Sequence, residues 1–177
     1  MKIAFTGAQS TGKTTVMNEL QAYYPYTPDF KFLSEITRDI AKLNLKINED
    51  GGDQTQLLIM NKHLENVQKQ NIVMDRCALD GIVYTRYLYN KGQISEWVMD
   101  YAERVFTLMI GRYDFIFYIA PEFAIANDGV RSTDVDFRNE IVKLFEQYIL
   151  TCEIPVIHLS GDKQERVSKV RKTIGVY

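Results

Sequence analysis

Eight residues near the N-terminus, Gly7-Ala8-Gln9-Ser10-Thr11-Gly12-Lys13-Thr14, meet the template G-x-x-x-x-G-K-[ST] at every fixed position. Lys2-Ile3-Ala4-Phe5-Thr6 before them reads as a short buried strand. Val16, Met17 and Leu20 after them recur at helical spacing. A loop between such a strand and such a helix turns its backbone N–H groups inward as a cradle for phosphate, and the helix start adds the positive end of its dipole. Lys13 is expected to reach the β- and γ-phosphates, the Thr14 hydroxyl to hold Mg²⁺, and Thr15 to complete the nucleotide-binding stretch. The feature implies a bound nucleoside triphosphate. What the γ-phosphate is used for must be read from the rest of the chain.

A chain of 177 residues supports one domain, expected to span 1–177. The formal net charge of −2 supplies no general attraction to nucleic acid, so a DNA partner would need a local basic groove. Cys77 and Cys152 lack metal-ligand spacing and make no disulfide framework, which points to a reducing cytoplasm. No apolar run reaches the roughly 20 residues of a membrane span, and the direct start into a core strand argues against a signal peptide.

Strands and helices then alternate, as in a parallel sheet covered on both faces. The first helix is expected over Lys13–Tyr24, stopped by Pro25. Strand two is expected over Phe30–Ser34, ending on Glu35, and a helix over Ile36–Leu45. Asn48 to Asp53 reads as an exposed turn-rich loop, followed by a helix with Leu57, Met60, Leu64 and Val67 on its inner face. His63, on the same helix, has no partner at metal spacing and reads as a surface or packing residue. Asn71–Asp75 is a buried strand that ends in an acid at the sheet edge where ligands gather, so Asp75 joins Thr14 as a Mg²⁺ candidate. Leu79, Ile82, Val83 and Tyr87 line one helix. Ile94, Trp97, Val98, Tyr101, Val105 and Leu108 line a longer one over Ile94–Ile110, either as core or as a homodimer face through Trp97. Strand four is expected over Asp114–Ile119 and strand five over Pro155–Leu159. Between them, Thr133 with Asp136 resembles a capping box, and Asp162 caps a last helix.

The large classes of phosphate-loop protein are separated by what is missing. No glycine has an aspartate three residues before it, so the D-x-x-G of a GTPase switch is absent. Asp75 is followed by Arg76 instead of the glutamate that activates water in many ATPases. An arginine binds an anionic acceptor or a phosphoryl group in flight. Glu35 and Arg38 stand three apart at the end of strand two, where a carboxylate either accepts a hydroxyl proton or holds a sugar hydroxyl. Arg131 and Arg138 belong to a segment, about 121–138, expected to close over the nucleotide as a short lid. These features indicate phosphoryl transfer to a molecule rather than to water.

The Gly7–Thr14 loop, Glu35-Ile36-Thr37-Arg38, Asp75-Arg76 with Asp80 and Tyr84 after it, and Asp128-Gly129-Val130-Arg131 with Arg138 together resemble the small phosphate-loop kinases. Among these the chain is most similar to an AAA-domain-labelled family that contains the nicotinamide-riboside-kinase domain. The resemblance implies a three-layer α/β sandwich with a five-stranded parallel sheet of order 2-3-1-4-5 and a lid after strand four. It further implies ATP and Mg²⁺ as cofactors, contact of Arg131 with the nucleotide, and acceptor binding by Glu35, Arg38, Arg76, Asp80, Tyr84 and Asp128. Asp75-Arg76-Cys77 departs from the members that act on nicotinamide riboside and leans towards nucleoside and nucleotide kinases. The expected activity is Mg-ATP-dependent phosphoryl transfer to a nucleoside, nucleotide or related metabolite. In this reading Lys13, Glu35, Asp75, Arg76, Arg131 and Arg138 carry the chemistry. The alternatives are a kinase acting on a hydroxylated nucleotide within DNA and a non-enzymatic ATP-binding module.

Overall fold

The computed structural model describes residues 1–23, 30–122 and 134–175. Strands β1 (Lys2–Thr6), β2 (Lys31–Leu33), β3 (Ile72–Asp75), β4 (Phe115–Ile119) and β5 (Val156–Leu159) form one sheet of order β2-β3-β1-β4-β5. All four neighbouring pairs are parallel. Helices α1 (Lys13–Tyr23), α2 (Ile36–Ala41), α3 (Asp53–Val67), α4 (Ala78–Asn90), α5 (Glu96–Ile110), α6 (Val135–Thr151) and α7 (Lys163–Thr173) complete the described architecture.

Alternation along the strands builds two cores. Ile3, Phe5, Val73, Phe117 and Ile119 face α1 and α7, where they meet Val16, Leu20, Val167 and Val170. Ala4, Ile72, Met74, Ile116 and Tyr118 face the opposite way and pack with residues of α3 to α6. Central strands covered on both faces must be apolar throughout, which is why β3 and β4 carry hydrophobic runs. The result is the expected three-layer sandwich.

Several boundaries differ from the sequence reading. Strand two is the shorter Lys31–Leu33, and α2 ends at Ala41 because the chain turns at Asn44 into the left-handed region (φ 58°). The stretch after it forms a 3₁₀ turn, Asn48–Asp50, that is partly buried rather than a free loop. On α3 the buried residues include Gln56, Met60, His63 and Val67, whereas Leu57 and Leu64 are only half-buried. On α5 the inward face is Val98, Met99, Ala102, Val105, Met109 and Ile110, and Trp97 and Leu108 are 59% and 66% exposed. The Asp134 carboxylate accepts from the Asp136 and Phe137 N–H groups at the start of α6, and Thr133, of the expected capping box, lies outside the described residues. Asp162 caps α7 as expected, with Glu165 returning a hydrogen bond to it.

At Gly7 the packing demands glycine. Its φ is 135°, and a Cβ there would lie 2.4 Å from the Ile119 carbonyl oxygen. Backbone cannot step aside as a flexible side chain does. Gly7→Ala is expected to cost about 2–4 kcal/mol of stability in chemical denaturation, together with ATP binding, since β4 and the loop must separate.

Candidate active site

The carboxyl ends of β1 and β3 lie side by side, with Phe5 in register with Asp75. This places the Gly7–Thr14 loop and the Asp75-Arg76 stretch at one edge of the sheet. Ser10 (φ 59°) and Gly12 (φ 91°) bend the loop around an interior in which Ala8, Gln9, Thr11 and Lys13 are buried. Thr15 lies exposed on the first turn of α1. The Lys13 ammonium is folded back onto the loop, donating to the Gly7 and Ala8 carbonyls at 2.8 and 2.6 Å. Burial, and then the Arg76 charge, lower its pKa to about 8. The loop thus holds a cation confined beside its own carbonyls, an arrangement that an incoming polyphosphate relieves.

Thr14 Oγ1 donates to Asp75 Oδ2 at 2.5 Å, while Asp75 Oδ1 is buried with no hydrogen-bond partner. Burial raises the Asp75 pKa, with Lys13 and the Thr14 hydrogen bond opposing it. A hydroxyl and a carboxylate with an open oxygen beside a phosphate cradle fit Mg²⁺, which takes one or two protein ligands and completes its octahedron with phosphates and water. Among the described residues no cluster of three or more His, Cys, Asp or Glu forms a dedicated metal cage.

The acid at the end of strand two reaches the same place. Glu35, 5% exposed, accepts from Arg76 Nε at 2.6 Å, and its other oxygen lies 3.6 Å from Arg38 Nε. Arg76 Nη1 donates to Asp80 Oδ1 at 3.1 Å. Burial opposes the Arg76 charge, but Glu35, Asp80 and Asp75 outweigh that and hold it well above the ordinary arginine value. Its backbone adopts φ 77°, an uncommon conformation for a long side chain, which turns it from the end of β3 towards Glu35. Asp80 Oδ2 accepts from Thr6 Oγ1 at 2.7 Å and from the Cys77 N–H at 2.9 Å. The acid predicted to contact substrate therefore also ties Arg76 to the start of α4 and to β1. Cys77 is buried, and its thiol is pushed well up chiefly by that burial, which makes it a poor nucleophile.

Tyr84 closes the set from above. Its ring lies 5.1 Å from the Arg76 guanidinium, and its hydroxyl donates to Gln9 Oε1 at 3.3 Å, joining the phosphate loop to the Arg76 region. Phe137 at the start of α6 packs edge-on against Tyr84 at 5.9 Å, which sets Arg138 one residue from that contact. Arg131 and Asp128, and most of the expected lid, lie outside the described residues.

Beside the Arg76–Glu35 pair a small recess of about 20 Å³ lies between α2, α3 and α4. Ile36, Ile59 and Tyr84 supply apolar wall, and Gln56, His63 and Asp80 supply polar groups. Gln56 Oε1 accepts from the buried Thr85 hydroxyl at 3.0 Å. Gln56 is missed by the sequence reading, which follows only the apolar stripe of this helix, and His63, read there as a surface or packing residue, is buried. Their spacing of seven, in phase with Met60, was the available signal.

Arg166 on α7 was missed as well. It is 2% exposed, donates from Nη1 to the Thr11 carbonyl at 2.9 Å, and pairs through Nη2 with Glu122 at 3.0 Å. It props the phosphate loop from beneath; a Cβ at Gly12 would lie 3.2 Å from it.

Burial, with Arg76 adding to it, pushes the His63 imidazole down to about 3. The unfolded chain takes up a proton near the ordinary value of 6.5 that the folded protein refuses until about 3. Stability present above that ordinary value is therefore lost as the pH falls through this window, at about 1.4 kcal/mol per pH unit from this residue alone. Urea denaturation across the acid range is expected to show a slope shallower by about that amount in His63→Asn.

No curated protein matches the sequence. Among solved structures, deoxyadenosine kinase from M. mycoides with the products dCMP and dCDP aligns over 99% of this chain and 98% of its own, at 14% identity and a TM-score of 0.68. NadR protein in complex with NR aligns over 99% of this chain and 52% of its own, at 19% identity and a TM-score of 0.77. This chain therefore spans about half of the NadR chain. These likenesses show the fold of the small phosphate-loop kinases. The sequence profile of the AAA-domain family matches residues 2–166. A match that runs from β1 through the loop, the Asp75-Arg76 edge and into α7 covers every described part of the site, and the chain belongs to that AAA-domain family.

Proposed function

We propose that the protein is a kinase that moves the terminal phosphoryl group of ATP, with Mg²⁺, to a nucleoside, nucleotide or related small metabolite. One observation carries the reading. The buried Glu35–Arg76 pair, suited to an acceptor, shares one sheet edge with the Lys13, Thr14 and Asp75 set, suited to a donor. A site that hydrolyses ATP needs no buried carboxylate–guanidinium pair opposite its phosphate loop.

In the proposed reaction Lys13 and the loop N–H groups hold the β- and γ-phosphates. Thr14 and Asp75 hold Mg²⁺, which when bound neutralises charge developing between those phosphates. Where the acceptor is a hydroxyl, Glu35 takes its proton as the oxygen bonds to phosphorus and the bond from phosphorus to the ADP oxygen breaks. Where it is a monophosphate, no base is needed, and Glu35 holds a sugar hydroxyl instead. Arg76 balances charge on the transferring group, and Arg38 and Tyr84 frame the acceptor. For Arg131, Asp128 and the lid the proposal rests on sequence, as does a role for Arg138 in stabilising phosphoryl charge. Arg131→Ala is expected to slow turnover by orders of magnitude with modest loss of ATP binding. The proposal places the kinase in the cytoplasm on the strength of two cysteines that are free and make no disulfide; no helix among the described residues is long and apolar enough to cross a membrane.

The test is to incubate the protein with Mg-ATP and separate panels of nucleosides, monophosphates and hydroxylated DNA, and to identify products by mass spectrometry. A phosphorylated nucleoside or nucleotide is the expected result. Phosphorylation confined to DNA would replace the acceptor class, and ATP binding without any product would replace the enzyme with a binding module.

A further inference from the structure

Helix α7 leaves Lys163, Lys169 and Lys172 exposed but turns Arg166 inward beside Val167 and Val170. A residue wanted there only for packing would be apolar, because a buried guanidinium is costly and a buried ion pair adds little net stability. What the guanidinium touches gives it a use. Nη1 donates to the Thr11 carbonyl of the phosphate loop at 2.9 Å, and Nη2 lies 3.0 Å from Glu122 Oε2. That same carboxylate oxygen, just beyond β4, accepts from the Gly161 N–H at 3.2 Å in the turn between β5 and α7. Glu122 thereby fixes one side of the guanidinium so that the other is aimed at the loop.

We propose that Arg166 is a positioning residue for nucleotide binding, which by holding the Thr11 carbonyl towards α7 aims the Gly12 N–H at the phosphates. The inference rests on the donor half of the reading above, that the loop binds a triphosphate, and not on transfer. The Thr11–Gly12 peptide is trans, so its carbonyl and its N–H point in opposite directions. A bond that draws the oxygen to α7 therefore turns the Gly12 N–H away from α7. Gly12 has φ 91° and no side chain, and nothing in its own covalent structure would keep this peptide from rotating. The guanidinium supplies the restraint, standing 3.2 Å from where a Gly12 Cβ would be. The cradle is thus set before the nucleotide arrives, and the cost of ordering it is not taken from binding. A cation on the carbonyl also polarises the amide and strengthens its N–H as a donor. Only a planar fork can serve Thr11 and Glu122 together from one head group.

The test is calorimetric titration of the whole protein with Mg-ATP and with inorganic tripolyphosphate, which carries the phosphates without base or sugar. It is paired with the NMR signal of the Gly12 amide in isotope-labelled protein. Arg166→Met keeps the length and removes the charge, Arg166→Lys keeps the charge without the fork, and Glu122→Gln removes the carboxylate that aims it. Arg166→Met should weaken both ligands about tenfold or more, Arg166→Lys about fivefold, and Glu122→Gln about threefold. Combining Glu122→Gln with Arg166→Met should bind no more weakly than Arg166→Met alone, since the two act through one contact. In the free variants the Gly12 amide signal should be displaced while those of the β-sheet stay in place, a pattern that general loss of packing would not give. Should Arg166→Met fail to fold, Arg166→Lys and Glu122→Gln carry the same test. Wild-type affinity in Arg166→Lys overturns the proposal, because charge without aim would then suffice, and so does weaker binding with an unmoved Gly12 signal. No binding of either ligand by the wild type overturns the inference together with the reading beneath it. Weaker nucleotide binding in the variants, with no transfer to any acceptor by the wild type, defeats the kinase reading alone. Unchanged nucleotide binding in Arg166→Met, beside transfer by the wild type, defeats this inference alone.

Discussion

Replacing Lys13 by methionine is expected to raise the stability of the ligand-free protein while cutting phosphoryl transfer about a thousandfold or more. The two effects have one cause. Lys13 is buried in the free loop, where loss of water lowers its pKa from 10.5 to about 8. Between these values the unfolded chain holds a proton that the folded chain releases, so stability rises with pH across that window, and at neutral pH the whole cost of the buried charge is present. Methionine fills similar space without the charge and should return about 1–3 kcal/mol, less whatever the lost contacts to the Gly7 and Ala8 carbonyls contributed. In the proposed reaction the same substitution removes the cation that meets the β- and γ-phosphates. Thermal unfolding with and without Mg-ATP shows both at once. The free variant should melt higher than the wild type, and the upward shift on adding nucleotide should largely vanish. A variant that melts lower when free and still gains from ATP would show that Lys13 is a structural strut.

The second large effect belongs to Arg76. Its guanidinium serves Glu35 and Asp80 together, and all three side chains are buried. Arg76→Leu leaves two carboxylates without their cation, which should cost about 3–5 kcal/mol in urea denaturation. Loss of activity in that variant would not separate folding from chemistry, so Arg76→Lys is the informative change. Lysine keeps the charge as a single point and cannot bond both carboxylates in the geometry of a planar fork. It is expected to fold with most of the stability recovered and to transfer phosphate about a hundredfold more slowly or worse. Wild-type turnover in Arg76→Lys would remove Arg76 from the reaction.

The sheet, and the grouping of the residues proposed as the donor half of the site, were legible because their signals are local. The phosphate loop is contiguous, and the apolar runs of β1, β3 and β4 follow from burial on both faces, so the order β2-β3-β1-β4-β5 matched the expectation drawn from the family resemblance. Asp75 and Arg76 were legible for a related reason, since the end of a buried parallel strand is where chemistry collects. The rest of the site is made by distant segments meeting, which periodicity does not encode. Arg166 reaches the loop across 155 residues of sequence, and Gln9 and Tyr84 are joined across 75. On α3 the apolar stripe alone did not reveal Gln56, because the inner face of that helix borders a recess as well as a core. Leu108 departs in the opposite sense, as a large apolar residue at helical spacing that α5 leaves exposed, and of the two readings of Trp97 its exposure removes the core one.

The most direct measurement of the central claim is the fate of the terminal phosphate of labelled ATP over a single turnover, with a nucleoside or its monophosphate present in excess. A kinase of the kind proposed should place most of the label on the acceptor and little in inorganic phosphate. Label appearing only as inorganic phosphate, at a rate the acceptor does not change, would contradict the reading of Glu35 and Arg76 as the acceptor half of the site.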